Sequence, residues 1–199
     1  MKTRTLVSTL LVALGSVSAF AQTTADTVQR DVNQQTRIEN GLKDGQLNTK
    51  EAGRLERQQA RIDRLQAKDL KDGSLNPQER AQLQRAQNRA SQDIKAAESN
   101  GVKGNPQSKS SERMQADVQR DVNQQTRVEQ GVQSGALTNH ETGKLERGQA
   151  RVDRKEAVAA ANGHVGAAEQ AGIQHAENVQ SDRIFNKKHN AHIKKPVAQ

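Results

Sequence analysis

Apolar residues recur along this chain at the spacing of a single helix face. In the first half they are Val28, Val32, Ile38 and Leu42, then Leu55, Ile62 and Leu65, then Leu83, Ala86, Ala90, Ile94 and Ala97. In the second half they are Val118, Val122, Val128 and Val132, then Leu145 and Val152, then Ile173, Ala176, Val179 and Ile184. No stretch alternates apolar and polar residues as a strand does. The pattern predicts helices over about residues 26–43, 48–70, 76–99, 112–133, 138–161 and 167–188.

Copies of a short motif, G-x-[LV]-x-x-x-E, separate the predicted helices within each half of the chain. Their glycines are Gly45, Gly73, Gly135 and Gly163. Glycine adopts the left-handed conformation that ends a helix, and the polar residue three positions later caps the next helix, with the glutamate closing a capping box. The expected N-caps are Asn48, Asn76 and Thr138, paired with Glu51, Glu79 and Glu141, whereas Gly166 has no capping side chain. The motif therefore predicts a stop and a restart between helices.

The chain is a tandem duplication. The nine residues Gln29–Arg37 return letter for letter at Gln119–Arg127, at an offset of 119 − 29 = 90 residues. The segment Asn100–Ser111 between the copies is rich in Gly, Ser, Asn and Lys, which is typical of a flexible linker. We therefore predict an all-α protein of two tandem antiparallel three-helix modules. Its segments are a helical repeat at 22–99, the linker at 100–111, a second repeat at 112–188 and a basic, disordered tail at 189–199.

Two equivalent glycines lie inside predicted helices, Gly53 and its copy Gly143. A glycine inside a helix costs about 1 kcal/mol relative to alanine. These positions are therefore either simple weak points or places where two helices approach closely.

The first 21 residues have the pattern of a secretory signal peptide. Lys2 and Arg4 form a positive start, Leu6–Ser18 is an apolar run too short to span a bilayer, and a cleavage site of small residues ends at Ala21. We expect residues 1–21 to be removed and the product to be periplasmic or secreted. No second apolar run is present, so we expect no transmembrane segment after signal cleavage.

The composition limits the size of the core and the classes of partner. The formal net charge is +8, and losing two cations with the signal leaves 8 − 2 = +6. The mean hydropathy is −0.97, only 32% of residues are hydrophobic, and Phe185 is the one aromatic residue after the signal. We therefore expect a thin core. The aromatic residues on which single-stranded nucleic acids stack are missing, so we predict no nucleic-acid partner.

A stripe of cations along the second predicted helix is the best functional lead. Its four members fall within about 80° of arc, opposite Leu55 and Ile62, and the second repeat has an equivalent stripe. The members are Arg54, Arg57, Arg61 and Arg64, then Lys144, Arg147, Arg151 and Arg154. The acids Glu56, Asp63, Glu146 and Asp153 are expected to flank the stripes. Such rows grip carboxylates or phosphates, although a basic helix face also occurs simply because it is solvated.

The junction motif DG-x-L-x-x-x-E resembles the second half of an EF-hand calcium loop. The calcium candidates on this interpretation are Asp44, Glu51, Asp72 and Glu79. Leu42 and Leu70 stand where the loop needs a ligand, and a leucine side chain cannot bind calcium. Helix capping accounts for the same residues without a metal, and it is the preferred interpretation.

Two segments carry a family resemblance: Arg37–Ile62 (RIENGLKDGQLNTKEAGRLERQQARI) and Gln87–Ile94 (QNRASQDI). They resemble an uncharacterised family of small exported proteobacterial proteins, whose members carry R-I-x-x-G-x-x-x-G-x-L-T-x-x-E-A-x-x-L, a second DG-x-[LV] turn and an ending similar to Lys187–Asn190 (KKHN). The resemblance covers both copies and implies an exported helical-repeat protein, with no activity to carry over. Here the first copy lacks the ending, and the second has lost Asp from both turns, which puts a metal role of the second copy in doubt.

These observations lead to one functional hypothesis and two alternatives. The sequence contains no nucleophile elbow, phosphate loop or HExxH motif, so we predict no enzymatic activity and no cofactor. The leading hypothesis is an exported binding or envelope-stress protein that holds anionic envelope components through its arginine-rich helix faces. The first alternative is a calcium-responsive module. The second is a holdase for unfolded proteins, because Leu137–Glu141 (LTNHE) and the composition are similar to the small helical periplasmic chaperones with LTxxQ motifs.

Overall fold

The computed structural model describes residues 23–190, which form six α-helices and no strand. The helices are α1 (Thr24–Lys43), α2 (Thr49–Asp69), α3 (Pro77–Ser99), α4 (Lys109–Gln133), α5 (Asn139–Ala159) and α6 (Ala167–Lys188). Short 3-10 turns at Leu70–Asp72 and Ala160–Asn162 extend α2 and α5. The predicted all-α class is confirmed. The expected signal peptide and most of the basic tail lie outside the described residues.

The helix junctions follow the predicted capping scheme. The four motif glycines have φ values of 67°, 87°, 69° and 88°, in the left-handed region. At the second junction the Asn76 side chain accepts hydrogen bonds from the backbone N–H groups of Gln78 and Glu79, and the Glu79 carboxylate accepts one from the Asn76 N–H at 2.9 Å. Gly166 has no capping side chain, as expected, but the Glu169 carboxylate still accepts from its N–H at 2.8 Å. The capping interpretation of the motif is confirmed.

The helices of the two repeats pack against each other in one bundle, a question that the sequence left open. α2 lies along α5 and α1 lies along α4, while α3 packs on α1 and α2, and α6 packs on α4 and α5. Gly53 near the start of α2 faces Ala160 beyond the end of α5, and Gly143 near the start of α5 faces Leu70 beyond the end of α2. α2 and α5 are therefore antiparallel and related by an approximate twofold axis. The arrangement as two modules is not confirmed, because each repeat buries its helices against the other.

Close helix approach explains the glycines of α2 and α5. A Cβ atom added to Gly53 would lie 2.5 Å from Cβ of Ala160, and one added to Gly143 would lie 3.0 Å from Cβ of Leu70. Real Cβ atoms do not come as close as the first distance, so the glycine is needed where α2 meets α5. Gly172 in α6 has no neighbour within 4 Å of the same position and is a simple weak point.

The segment expected to be a linker is packed against the first helix junction. The Gly104 N–H donates to the carbonyl of Gly45 at 3.0 Å, and a Cβ on Gly104 would meet the Leu47 carbonyl oxygen at 2.2 Å. Ser108 caps α4, which starts at Lys109, inside the expected linker. The connection between the repeats thus contributes to the packed surface of the bundle.

The interior alternates between apolar clusters and polar layers. The largest apolar cluster joins side chains of both repeats, among them Ile38, Leu42, Val118, Val152 and Ile173. Between such clusters lie fully buried Asp, Glu and Gln side chains. The expected thin core is therefore complemented by a buried polar interior. Within residues 23–190, no helix combines the length and the apolar character that crossing a bilayer requires.

Candidate metal centre

Nine carboxyl side chains of the described residues are at most 1% exposed, and seven of them are gathered in two clusters. The four-carboxyl cluster consists of Glu56, Asp121, Asp153 and Glu156, and the three-carboxyl cluster consists of Asp31, Asp63 and Glu146. Within each cluster, every member offers an oxygen atom that lies within 4.8 Å of those of the others. Each cluster draws on both repeats, so neither exists before the repeats pack together.

Helix periodicity and the duplication place these side chains. Glu56 and Asp63 are seven residues apart, which puts them on one face of α2, on the side of the helix away from the basic stripe. The offset of 90 residues relates each member of one cluster to a position of the other. The equivalent pairs are Asp31 and Asp121, Glu56 and Glu146, Asp63 and Asp153, and Gln66 and Glu156. The twofold packing of α2 on α5 brings these positions face to face.

Glutamine amides provide hydrogen bonds to the clusters. Gln35 Nε2 donates to Glu56 Oε2 at 2.8 Å, and its copy Gln125 donates to Glu146 Oε2 at 3.1 Å. Gln149 Nε2 donates to Asp121 Oδ1 at 2.5 Å. These amides orient the carboxylates but leave many of the oxygen lone pairs unused.

Several buried oxygens in this region receive no hydrogen bond from an N–H or hydroxyl group. On the carboxyl groups they are Glu56 Oε1, Asp63 Oδ2, Asp121 Oδ2, Glu146 Oε1, Asp153 Oδ2 and both oxygens of Glu156. On the amides they include the Oε1 atoms of Gln35, Gln59, Gln66, Gln125 and Gln149. Buried polar atoms almost always have a partner in folded proteins. The combination of free carboxyl and free amide oxygens therefore points to a ligand that offers positive charge.

Burial also changes the protonation of the clusters. It raises the pKa of Glu56 and of Glu146 to about 8, and that of Asp31 to about 7. Burial, followed by repulsion from neighbouring carboxylates, raises the pKa of Asp63 and Asp153 well above the usual range. No Lys, Arg or His side chain of residues 23–190 is fully buried, and among the cluster acids only Asp31 has its pKa lowered by a nearby cation, the partly exposed Arg30.

Carboxyl groups that lack such a cation share protons with each other. Asp63 and Asp153 share a hydrogen bond between their carboxyl groups on the seam between α2 and α5, and Glu156 and Asp121 lie close enough to share a second proton. A bound cation would displace the proton of each pair. The site therefore has two chemically consistent states, one with shared protons and one with a cation.

The donor set favours a hard cation. Carboxylate and amide oxygens suit Ca²⁺, Mg²⁺ or Mn²⁺, whereas Zn²⁺ and Cu²⁺ prefer the sulfur and imidazole ligands that neither cluster contains. Two oxygens on opposite sides of a calcium ion, each at about 2.4 Å, are about 4.8 Å apart. The oxygens of each cluster lie within this distance of one another, so they need no hinge motion to assemble around one ion.

The residues named as calcium candidates from the sequence lie elsewhere. Asp44 and Asp72 are exposed at the ends of helical turns, and the Asp72 carboxylate accepts from the Ser74 N–H at 3.0 Å. The Glu51 carboxylate accepts from the Asn48 N–H at 3.1 Å and from Asn100 Nδ2 at 2.7 Å. Glu79 accepts the capping bond from the Asn76 N–H, and Asp44 is the C-cap residue of α1. All four residues therefore lie at the helix junctions. None of them belongs to either cluster.

The predicted basic stripes lie on the outside of α2 and α5. All eight members are exposed, and within residues 23–190 none of them forms an ion pair with a carboxylate. Arg57 Nη2 reaches the carbonyl of Ala157 at 3.5 Å, so it lies at the seam between the two helices. Arg151 and Arg154 line a groove of about 540 Å³ between α5 and α6. Because α2 and α5 are neighbours, we refer to both stripes together as the basic face.

The sequence interpretation placed four acids incorrectly. Glu56, Asp63, Glu146 and Asp153 were expected beside the stripes at the surface, but they are fully buried. The spacing contained a usable signal, since Glu56 and Asp63 lie on the same side of the helix as Gln59 and Gln66, opposite the stripe. Charged residues are rarely fully buried, which is why the signal was read as surface.

Comparison with known proteins leaves the assignment to the geometry of the site. No protein-family model matches the chain, and no curated protein or solved structure is significantly similar to it.

Proposed function

We propose that this protein is an exported, non-enzymatic protein that binds a hard divalent cation, of the Ca²⁺ or Mn²⁺ type, inside its helical bundle. One observation carries the proposal: seven fully buried carboxyl groups form two clusters with donor-free oxygens and no buried basic side chain. Export is inferred from the pattern that ends at Ala21, which precedes the described residues.

The physical basis is the energy of buried charge. An isolated carboxylate inside a protein costs several kcal/mol unless it is paired or protonated. A divalent cation neutralises two carboxylates at once and uses the oxygens that no hydrogen-bond donor reaches. Without a cation the acids must retain protons, so the cation and protons compete for the same oxygens.

Cation binding would link the two repeats mechanically. The four-carboxyl cluster takes Glu56 from α2, Asp121 from α4, and Asp153 and Glu156 from α5. A cation held by these groups bridges three helices and both repeats. Binding should therefore stabilise the whole bundle rather than a single turn.

The test is a thermal melt of the protein at pH 8 with a chelator, with Ca²⁺ and with Mn²⁺. At a free cation concentration of about 100 times Kd, binding stabilises by about 2.7 kcal/mol, which corresponds to a rise in Tm of roughly 5–10 °C. We expect this rise in the wild type and its loss in Asp153→Asn, because that change removes a ligand from the four-carboxyl cluster. Direct binding is measured by isothermal titration calorimetry.

The matched control removes the carboxylates of the alternative site. The double variant Asp44→Asn with Asp72→Asn disables the EF-hand-like turns and leaves the interior acids unchanged. Binding that survives in this variant and is lost in Asp153→Asn locates the cation in the interior. The reverse pattern would assign binding to the turns, and wild-type melts unaffected by any cation would refute the proposal.

The basic face supports a second candidate function, the binding of anionic partners. Its eight exposed cations have no carboxylate partner within the described chain, so they are available to an external ligand. Arginine grips phosphates and carboxylates by paired hydrogen bonds. The candidate partners are anionic envelope components such as lipopolysaccharide and lipid headgroups, or unfolded acidic proteins.

Charge reversal tests the basic face. The quadruple variant Arg57→Glu, Arg61→Glu, Arg147→Glu and Arg151→Glu should lose binding to anionic vesicles in a sedimentation assay at low salt. The control carries the same charge change on other exposed cations, at Arg85, Lys95, Lys103 and Arg183. Equal loss in both variants would mean that net charge alone is responsible, and unchanged binding in the first would eliminate the basic face. Suppression of client aggregation by the wild type, at near-stoichiometric ratios, would favour the holdase alternative.

A further inference from the structure

The two carboxyl clusters are built from equivalent positions of the two repeats, so the positions at which they differ can be identified. Glu156 of the four-carboxyl cluster corresponds to Gln66 beside the three-carboxyl cluster. A second acid of repeat 2, Glu177, is also fully buried and corresponds to Gln87 of repeat 1. Repeat 2 thus has two acids where repeat 1 has two amides.

Two amides of repeat 1 donate hydrogen bonds to the carboxylate that a cation would need as a ligand. Gln66 Nε2 donates to Asp31 Oδ2, and Gln87 Nε2 donates to Asp31 Oδ1 at 2.8 Å. Both oxygens of Asp31 are therefore engaged by neutral donors. These hydrogen bonds to the charged form offset part of the cost of burial, so Asp31 depends less on a cation than a buried carboxylate without donors does.

The equivalent carboxylate of repeat 2 remains open. Asp121 Oδ1 accepts from Gln149 Nε2 at 2.5 Å, but Asp121 Oδ2 receives no N–H or hydroxyl donor. Neither oxygen of Glu156 receives one, although this side chain is fully buried. The amide oxygen of Gln149, whose Nε2 contacts the cluster at Asp121 Oδ1, is also buried without a donor, as is that of its copy Gln59. The unused carboxyl oxygens thus concentrate on the four-carboxyl side.

From this difference, and on the basis of the cation binding proposed above, we propose that the protein has one high-affinity cation site per chain, at the four-carboxyl cluster. Its ligands are the carboxyl groups of Glu56, Asp121, Asp153 and Glu156, and the amide oxygen of Gln149 is an additional ligand. The three-carboxyl cluster is a structural layer in which Gln66 and Gln87 hold Asp31.

The number of charged groups in each cluster supports the same assignment of the cation site. The four-carboxyl cluster offers up to four negative charges to a cation, and the three-carboxyl cluster offers at most three, one of them held by two amides. Affinity for hard cations rises with the number of charged ligands.

The experiment is calorimetric titration of the full chain with Ca²⁺ at pH 8. It compares the wild type with two variants, Glu156→Gln and Gln66→Glu, each of which receives the residue found at the equivalent position of the other repeat. Wild type should bind one ion tightly. Glu156→Gln should weaken binding at least about tenfold, since it removes a charged ligand. Gln66→Glu should leave the first ion bound and add a second one of measurable affinity.

A position-resolved measurement keeps the inference testable if a variant does not fold. In the wild type, substoichiometric Mn²⁺ should broaden the side-chain amide NMR signal of Gln149 before that of Gln66. Two equal tight sites, or broadening of Gln66 first, would overturn the assignment while leaving the proposed function intact. The absence of any binding in the wild type would refute the proposed function itself, and the assignment with it.

Discussion

The side chain of Asp153 shows what a single residue contributes to this interior. It is fully buried, its carboxyl group shares a hydrogen bond with that of Asp63, and one of its oxygens has no donor. Burial raises the pKa of Asp153 well above the usual range, and the nearby Asp121 and Glu56 raise it further. Such a group is neutral through a proton or is bound to a cation. Its chemistry depends on neighbours from other helices, although its position in α5 is set by local spacing.

Close packing at the residue scale gives a prediction for Gly53. Replacing Gly53 by alanine puts a Cβ atom 2.5 Å from that of Ala160, and over-packing of this kind costs about 1–3 kcal/mol. We expect Gly53→Ala to destabilise the protein by about 1–2 kcal/mol in urea denaturation, because the gain in helix propensity offsets part of the cost.

The matched control is Gly172→Ala, where the added Cβ atom has no neighbour within 4 Å. This variant should be stabilised by about 0.5–1 kcal/mol, since alanine is the better helix former. Equal effects at Gly53 and Gly172 would show that α2 and α5 do not approach as closely as described.

At the scale of elements, residues of the local sequence set where each helix starts and ends. Each junction combines a left-handed glycine, a cap and a glutamate within seven residues, and the first three copies all have a side-chain cap. In the fourth copy the N-cap is Gly166, and only the reciprocal bond is present, in which the Glu169 carboxylate accepts from the Gly166 N–H. The element boundaries therefore need no tertiary contact to explain them.

The cap of α3 can be tested by itself. Asn76 accepts hydrogen bonds from the N–H groups of Gln78 and Glu79, and it is exposed, so its replacement removes the cap without opening the core. We expect Asn76→Ala to lower the free energy of unfolding by about 1 kcal/mol. Chemical denaturation monitored by circular dichroism measures this change, with Gln78→Ala as the control expected to remain within about 0.5 kcal/mol of wild type. A neutral Asn76→Ala would contradict the role of the cap.

The whole molecule is held by contacts between repeats. α1 packs on α4 and α2 packs on α5, and the main apolar cluster contains residues of both repeats. The polar layers occupy the same shared interior, so their protonation affects the stability of the entire bundle. This coupling makes pH a test of the molecule as a unit.

We expect the cation-free protein to lose stability as pH rises. Burial raises the pKa of Glu56 and Glu146 to about 8, whereas a glutamate in the unfolded chain titrates near 4.3. Between these values the folded state holds protons that the unfolded state has released, so the free energy of unfolding falls with increasing pH. In a chelator, Tm should drop by roughly 10 °C or more between pH 5 and pH 8, since each pKa unit corresponds to about 1.4 kcal/mol.

The cation should reverse this trend. At pH 8 the acids are ready to release their protons, so added Ca²⁺ should recover the lost stability, with a smaller effect at pH 5 where protons compete. Calorimetry in buffers of different ionisation enthalpy should show that binding releases protons. A Tm that is flat or rises between pH 5 and pH 8 in chelator would mean that the interior acids titrate normally.

Sequence pattern alone was enough to predict the all-α class, the approximate helix bounds, the caps and the exposure of the basic face. These features depend on interactions within a few residues, such as the hydrogen bond that the Glu51 N–H donates to Asn48 Oδ1 or the spacing of Arg54 and Arg57 on one helix face. Local rules therefore sufficed. They also showed that the chain is duplicated, but not how the copies meet.

The membership of the candidate metal centre follows from the packing of the helices and not from local sequence. Glu56 and Glu156 are 100 residues apart in the chain and share a cluster because α2 packs antiparallel on α5. On an isolated helix Glu56 is a charged residue next to arginines, and its place on the side opposite the stripe does not by itself show that it is buried. Its burial is a consequence of pairing between the repeats, and that pairing depends on shape complementarity along two whole helices, which short-range patterns do not contain.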